Sequence, residues 1–487
     1  MGVGRAVLRW LFSIHAWLGM AVGLLMALWC LSGIVMIYIA YPSLSPDQRL
    51  AGLPNLDWRS CCVMGSGGLS DETRLSGARI EMLGTRLSLR LVASSGGETV
   101  IDLAGGRVIE MFTEGDARGA AEGFARGARM NPGTLVDVDQ WTVGMKGRGP
   151  FYRFDFDDSA RTQLYVSSLS GQAVQITTGT QRFWNWLGAI PHWLYFTELR
   201  QRAGLWTEII IWTSVVGIFL TIVGLFIGVR QWLSVRRAGE WSPYRGFMLW
   251  HHVTGFVFGV FTLTFVLSGL FSMNPWGMLE TSSAARERAA IEGQTPTVAE
   301  VREAVPALAK NLLARDAVSL SLAPLDGRLY FIATRRDGVR TRMDAQGGEA
   351  KLSAADAAAI AGRLSGGASG VTAEFITKED AYYFSHQSEI ARLPAYRIVL
   401  NDKARTRYYV DPLSGALWSK VDAGGKAYRW WHEGLHRLDM IPALRTRPAW
   451  DIMMLIVMFG VTLVCVTGAY LGVRRIMRGS LSRSEPR

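Results

Sequence analysis

The 487-residue chain is 49% hydrophobic, holds 18 tryptophans and has a formal charge of +11. It is too long for one soluble core and too aromatic for an ordinary cytosolic enzyme, so membrane segments are expected. The basic excess forms no patch with interleaved aromatics, which excludes a nucleic-acid binder.

Four stretches, roughly 11–39, 207–229, 248–273 and 450–473, are apolar over the ~20 residues a helix needs to cross a hydrocarbon layer. Backbone facing lipid must satisfy its own polar groups, so each is expected to be a helix. The first lies behind Arg5 and Arg9, where a secretory signal would lie, but its apolar run is longer than a signal core and it has a repeat partner in mid-chain. It reads as a retained helix. Short flanks carrying Arg5 and Arg9, then Arg230, Arg236, Arg237 and Arg245, then Arg474, Arg475, Arg478, Arg483 and Arg487 fall on one side. That side is expected to be cytoplasmic.

The predicted order follows from this topology. Residues 1–40 hold helix one, 41–182 an external lobe, 183–230 an interfacial segment and helix two, and 231–247 a cytoplasmic loop. Residues 248–274 hold helix three, 275–427 a second external lobe, 428–476 an interfacial segment and helix four, and 477–487 a cytoplasmic tail. The fold class is a polytopic α-helical membrane protein with four transmembrane helices in two repeats and two α+β periplasmic lobes. Its expected location is a bacterial inner membrane with both termini cytoplasmic.

The repeat is legible residue by residue. A shift of 244 positions lays Pro150 on Pro394, Tyr165 on Tyr409, Gly171 on Gly415, His192 on His436 and Trp206 on Trp450. A shift of 236 lays His15 on His251, Gly19 on Gly255, Gly23 on Gly259 and Leu31-Ser32-Gly33 on Leu267-Ser268-Gly269.

Within the lobes, strand–turn–glycine–strand patterns recur at Ser95–Ile109, Thr162–Val174, Thr341–Lys351 and Thr406–Trp418. Alanine-rich helical patches at Val298–Arg315 and Ser353–Arg363 lie between them. The run Tyr408–Trp418, YYVDPLSGALW, resembles the core signature of PepSY domains. HAWLGMAVGLLMALWCLSG from His15 and HHVTGFVFGVFTLTFVLSG from His251 resemble the helices of the PepSY-associated transmembrane family. The resemblance covers nearly the whole chain in outline and implies PepSY-like lobes, b-type haem and reduction of ferric siderophores at an inner membrane. The first lobe departs from the signature, with Ser167-Ser168 where the second has Asp411-Pro412, so its turn is expected to be less regular.

Six of the seven histidines lie in or just before the apolar segments, where an unpaired imidazole is costly. His15 and His251 are expected at one depth near the inner face, and His192 and His436 at a second depth near the outer face. A pseudo-two-fold axis along the membrane normal would face each with its repeat partner, the geometry of a bis-imidazole iron site. The cofactors expected are two non-covalent haem b groups with His15, His251, His192 and His436 as axial ligands. His252 and His432 are further cofactor-binding candidates, while His386 reads as a loop histidine. The absence of C-x-x-C-H excludes covalent haem attachment. Gly19, Gly23, Gly255 and Gly259 fall on the histidine-bearing faces, leaving room for a porphyrin, although close helix packing would use them equally. Propionate partners are sought in Arg9, Arg230 and Arg474 inside, and Arg200, Arg202 and Arg437 outside.

Two rival functions remain in view. His432-Glu433-Gly434-Leu435-His436 satisfies H-E-x-x-H, a zinc-metalloprotease motif with Asp439 nearby. Its repeat equivalent keeps only the second histidine. A noncatalytic envelope sensor or inhibitor built on the lobes leaves the four matched histidines without a role. Cys30 and Cys465 read as buried small residues, whereas adjacent Cys61 and Cys62 admit a vicinal disulfide or a redox role. The expected function is electron transfer from a cytoplasmic reductase or quinol to a periplasmic acceptor, foremost a ferric siderophore. The chain carries no dinucleotide fingerprint of its own.

Overall fold

The computed structural model describes residues 2–65, 68–366, 370–385 and 390–481. His386, Arg483 and Arg487 lie outside the described residues. Two compact units result: one gathers the chain up to Tyr41, Phe183–Glu280 and the chain from Gly424 onward, the other Pro42–Arg182 and Thr281–Ala423.

The first unit is built on four helices long and apolar enough to cross a membrane. These are α1 (Gly2–Met36), α2 (Ala203–Val235), α3 (Phe247–Ser272) and α4 (Ala449–Leu481). Helix α1 packs on α2 and α4, and α3 packs on the same two, which closes a four-helix ring. Its exterior is apolar, and a few hydroxyls lie among the mostly apolar residues of its interior. Leu24, Phe226, Val260 and Phe459 face outward, while Ser32, Ser214, Thr262 and Ser268 are buried inside. Each of the last two hydroxyls returns its proton to a carbonyl of its own helix, so burial leaves no orphan.

The second unit contains α+β lobes with antiparallel sheets, and the two long loops share one of them. Strands Leu75–Leu83, Arg86–Ala93, Glu98–Asp102 and Arg107–Val108 come from the first loop, and Ser319–Leu322, Tyr330–Thr334 and Arg340–Asp344 from the second. They join at Arg79↔Ser321, Ile80↔Leu320 and Glu81↔Ser319 into a seven-stranded sheet. An uncovered edge at Leu75–Leu83 would be open to wrong pairing, and the second loop covers it. Helix Val298–Lys310 lays Val301, Val305 and Leu308 on this sheet, with a Thr297/Glu300 capping box at its start. At the seam the buried Glu81 carboxylate accepts from Arg49 at 2.6 Å and Gln172 at 3.2 Å. Cys61 and Cys62 form a vicinal disulfide.

The duplication survives in three dimensions. Strands Phe151–Asp157, Gln163–Ser167 and Ala173–Thr177 of the first loop correspond to Ala395–Val399, Arg407–Val410 and Leu417–Val421 of the second. Both hairpins carry a bulge at the same place, Tyr165/Val166 and Tyr409/Val410. The two turns close alike, correcting the expected irregularity of the first. Gly171 N–H donates to the Ser167 carbonyl at 2.8 Å and Gly415 N–H to the Asp411 carbonyl at 2.9 Å, with both glycines at positive φ. Ser167 Oγ accepts from the Ser170 N–H, much as the Asp411 carboxylate accepts from that of Leu413. A serine hydroxyl therefore suffices where the second copy uses an aspartate.

Candidate cofactor site

Inside the helical unit, His15 on α1 faces His251 on α3 with ring centroids 6.2 Å apart. His15 Nδ1 lies 3.2 Å from the Leu220 carbonyl of α2, and His251 Nδ1 lies 3.1 Å from the Val464 carbonyl of α4. Leu220 and Val464 are themselves repeat partners, separated by 244 positions. A carbonyl can only accept, so Nδ1 carries the proton and Nε2 keeps its lone pair for a ligand. Glycine makes this approach possible: a Cβ at Gly224 would meet His15 Cε1 at 2.6 Å, and one at Gly468 would meet His251 Cε1 at 2.9 Å. Gly224 and Gly468 are again 244 apart.

The second pair sits on the segments that precede α2 and α4. His192 ends a short helical turn, Ala189–His192, and His436 lies in Leu435–Arg437 after a π-helical turn. Each chain then reverses through a leucine in the left-handed region, Leu194 at φ 50° and Leu438 at φ 52°. A non-glycine residue there costs roughly 1–2 kcal/mol, so its recurrence marks a position the fold constrains. The following helix clamps the turn. Trp206 Nε1 donates to the Trp193 carbonyl at 2.9 Å, and Trp450 Nε1 to the Arg437 carbonyl at 2.8 Å.

His192 and His436 are 6.0 Å apart by ring centroids. His192 Nδ1 is 2.9 Å from the Trp29 carbonyl and 3.3 Å from Ser32 Oγ. His436 repeats this with the Phe265 carbonyl and with Ser268 Oγ at 2.9 Å. Loss of hydration pushes both imidazoles below their ordinary value, His436 down to about 3, with His432, His192 and Arg437 adding to the effect there. Both are thus neutral, the form that binds a metal.

These separations suit one metal between two imidazoles. With a metal–imidazole bond of roughly 2.0–2.1 Å and about 1.1 Å from nitrogen to ring centroid, two imidazoles sharing one metal would have centroids up to about 6.3 Å apart. Around the first pair lies a cavity of about 790 Å³ lined by His15, His251, Gly19 and Gly255, with Arg9, Arg245, Arg474 and Arg475 also on its wall. A Cβ at Gly255 would meet nothing within 4 Å and one at Gly19 nothing nearer than 3.9 Å, so both leave open space. Gly259 differs, since its Cβ would strike Leu225 at 2.6 Å, and Gly23 touches Ala469 at 3.7 Å. Those two serve helix packing although they also line the cavity. Arg230 is not among the lining residues, whereas Arg245 and Arg475, not singled out by sequence, are. Beside the second pair, Trp29 Nε1 is buried without a partner, a spare donor for an acceptor-bearing group. At the first pair the cavity, the two imidazoles and the arginines fit a flat macrocycle carrying carboxylates; at the second, the two imidazoles and the spare donor do.

His252 lines the same cavity and His432 neighbours His436, but both have hydrogen-bond partners of their own. His252 uses both nitrogens, Nδ1 with Ser242 Oγ at 2.7 Å and Nε2 with the Gly228 carbonyl at 2.9 Å. His432 Nδ1 lies 3.0 Å from the Ser268 carbonyl, and its ring is 5.7 Å from His436. The acidic groups of the H-E-x-x-H segment turn toward Arg429, Asp439 in two 3.0 Å hydrogen bonds and Glu433 at 3.7 Å. Among the described residues no group of three or more His, Cys, Asp or Glu side chains is placed to hold a metal ion, as a zinc centre requires.

Comparison with known protein families finds none that matches the chain, and comparison with curated proteins finds none either.

Proposed function

We propose that this chain is a dihaem b-type membrane protein that moves electrons across the bilayer of a bacterial inner membrane to a periplasmic acceptor, foremost ferric iron in a chelate. The observation that supports it is the double histidine pairing: two repeat-matched pairs at 6.2 and 6.0 Å, all four Nδ1 atoms anchored on carbonyls. Haem bound at each pair would supply a one-electron Fe(III)/Fe(II) couple near either face of an apolar layer about 30 Å thick. The chain's own part is to hold neutral imidazoles on opposed elements and fix their tautomers through carbonyls. Its arginines Arg9, Arg245, Arg474 and Arg475 would meet propionates at the inner pair. The basic flanks support cytoplasmic termini, the apolar exterior of four long helices supports insertion, and the strand–turn motifs of the loops support PepSY-like lobes. The donor would be a cytoplasmic reductase or a quinol.

A visible spectrum of the purified protein with and without dithionite tests this, together with haem, iron and zinc assays. The expected result is a low-spin b-type spectrum with close to two haems per chain, and lowered haem content in each of His15→Ala, His251→Ala, His192→Ala and His436→Ala. Haem-free protein that holds zinc would overturn it, and loss confined to His252→Ala or His432→Ala would reassign the ligands.

A further inference from the structure

In the segment between His192 and α2 the helical unit carries an arginine with no carboxylate. Arg200 places its guanidinium carbon 4.6 Å from the Trp206 ring centre and 5.3 Å from that of Tyr195. Its Nε is shielded from solvent and has no hydrogen-bond partner, and no acidic side chain pairs with it among the described residues. The two rings belong to a chain of aromatics. Tyr195 lies 5.9 Å from Trp193 and 5.5 Å from Tyr41, and Trp193 directly follows His192 and is 38% exposed. The feature is not duplicated: the positions matching Tyr195 and Arg200 hold Asp439 and Leu444 in the second half, where Asp439 already neutralises Arg429.

A guanidinium held between aromatic faces loses part of its water and offers its remaining N–H groups in a fixed fork. That fork matches a carboxylate, and the rings of Tyr195 and Trp193 link it to the residue that follows His192. We propose that Arg200 in its Tyr195/Trp206 cradle is the docking point for the electron acceptor, an anionic ferric chelate bearing carboxylates. This rests on the electron-transfer reading for its purpose, though not for the binding itself. The redox step at that point adds one electron to Fe(III) and gives the Fe(II) chelate without breaking a covalent bond.

Equilibrium dialysis of the oxidised full-length protein against Fe(III)–EDTA, with iron assayed on both sides, reads binding without needing turnover. Arg200→Gln is expected to weaken that binding about tenfold, the size of a lost charge-assisted hydrogen bond, and Arg200→Lys to weaken it less. Haem content and binding of a cationic ferric tris-hydroxamate should not change. When dithionite-reduced, desalted protein is mixed with Fe(III)–EDTA, the concentration giving half-maximal reoxidation should rise by the same factor at an unchanged limiting rate. Arg335→Gln removes an exposed charge paired with Asp337 and is expected to leave binding as it was. Equal binding by the wild type and Arg200→Gln would refute the assignment, as would an equal loss in Arg335→Gln. Loss of haem in Arg200→Gln would instead make the residue a propionate partner, and a defect that follows anionic lipid in nanodiscs rather than chelate charge would make it a headgroup contact. Both of those outcomes overturn the proposal. Haem-free protein that still binds Fe(III)–EDTA through Arg200 would sink the electron-transfer reading while leaving the docking site standing.

Discussion

Gly224→Ala is the sharpest perturbation of the inner pair. The added Cβ would lie 2.6 Å from His15 Cε1 and 3.2 Å from Nδ1, where carbon atoms normally rest roughly 3.5–4.0 Å apart. The ring must therefore retreat by about 1 Å, several times the ~0.2 Å tolerance of a metal–ligand distance. Helix propensity works the other way, since alanine favours an α-helix over glycine by about 1 kcal/mol. A defect would thus come from the displaced ligand and not from a weakened α2. The expected result is near one haem per chain by pyridine haemochrome, with Gly468→Ala behaving likewise through His251. Gly255→Ala, whose Cβ meets nothing within 4 Å, probes cavity volume and should leave the ligands in place. Two haems retained in both Gly224→Ala and Gly468→Ala would refute the idea that these rings are ligands held in their present positions.

Four further outcomes are expected. Ser268→Ala removes the hydroxyl at His436 Nδ1 and should weaken haem retention at the outer pair by about 10- to 100-fold, leaving the inner pair intact in a haem-transfer assay to apomyoglobin. Thr467→Val removes an acceptor 3.2 Å from His251 Nδ1 and makes that imidazole less basic, so the inner potential should rise by about 40 mV, the one-electron equivalent of ~1 kcal/mol, in a redox titration. Glu81→Ala strands Arg49 at the sheet seam and should destabilise the second unit by about 3–5 kcal/mol in urea unfolding; a change within error would show the pair to be idle. Asp380 contributes to the acid limb: burial raises its carboxyl, but the Arg397 hydrogen bond, the Tyr382 N–H, the Tyr409 hydroxyl and the Arg407 charge outweigh burial and hold it below the ordinary 3.8. A folded value below the unfolded one means stabilisation that is complete above the unfolded carboxylate range and lost as pH falls through the folded value. Asp380→Asn should lower the melting temperature at neutral pH and flatten this acid loss, and an unaltered acid limb would rule the carboxylate out.

The pairing of histidines could be read from the sequence because duplication copies position, and position on a helix fixes depth. Which glycines matter was harder. The i, i+4 rule selects Gly19 and Gly255 on the histidine's own helix, and these do line the cavity, yet it also selects Gly259, which packs against Leu225. The tight contacts come from Gly224 and Gly468 on neighbouring helices, which a single-helix rule cannot see. Their separation of 244 was the available signal, as was the 236 between Ser32 and Ser268. Edge pairing between Arg79 and Ser321 left no such mark, because a register across that much chain is set by tertiary packing and not by local pattern.

Where the copies differ is informative in the same physical terms. Both members of each pair keep a backbone carbonyl behind Nδ1, so the part of the site that orients the ring is made of main chain and tolerates side-chain drift. The side chains around it have drifted. Thr467 sits beside His251 where the matching position behind His15 is Val223, and the outer pair has a neighbouring imidazole, His432, on the His436 side where the first copy has Gly188. Duplication thus supplies the two halves of each pair, and the unmatched residues make those halves unequal. The two pairs themselves are not repeats of one another, so if both held haem their different surroundings, and not the duplication, would set any difference in potential between them.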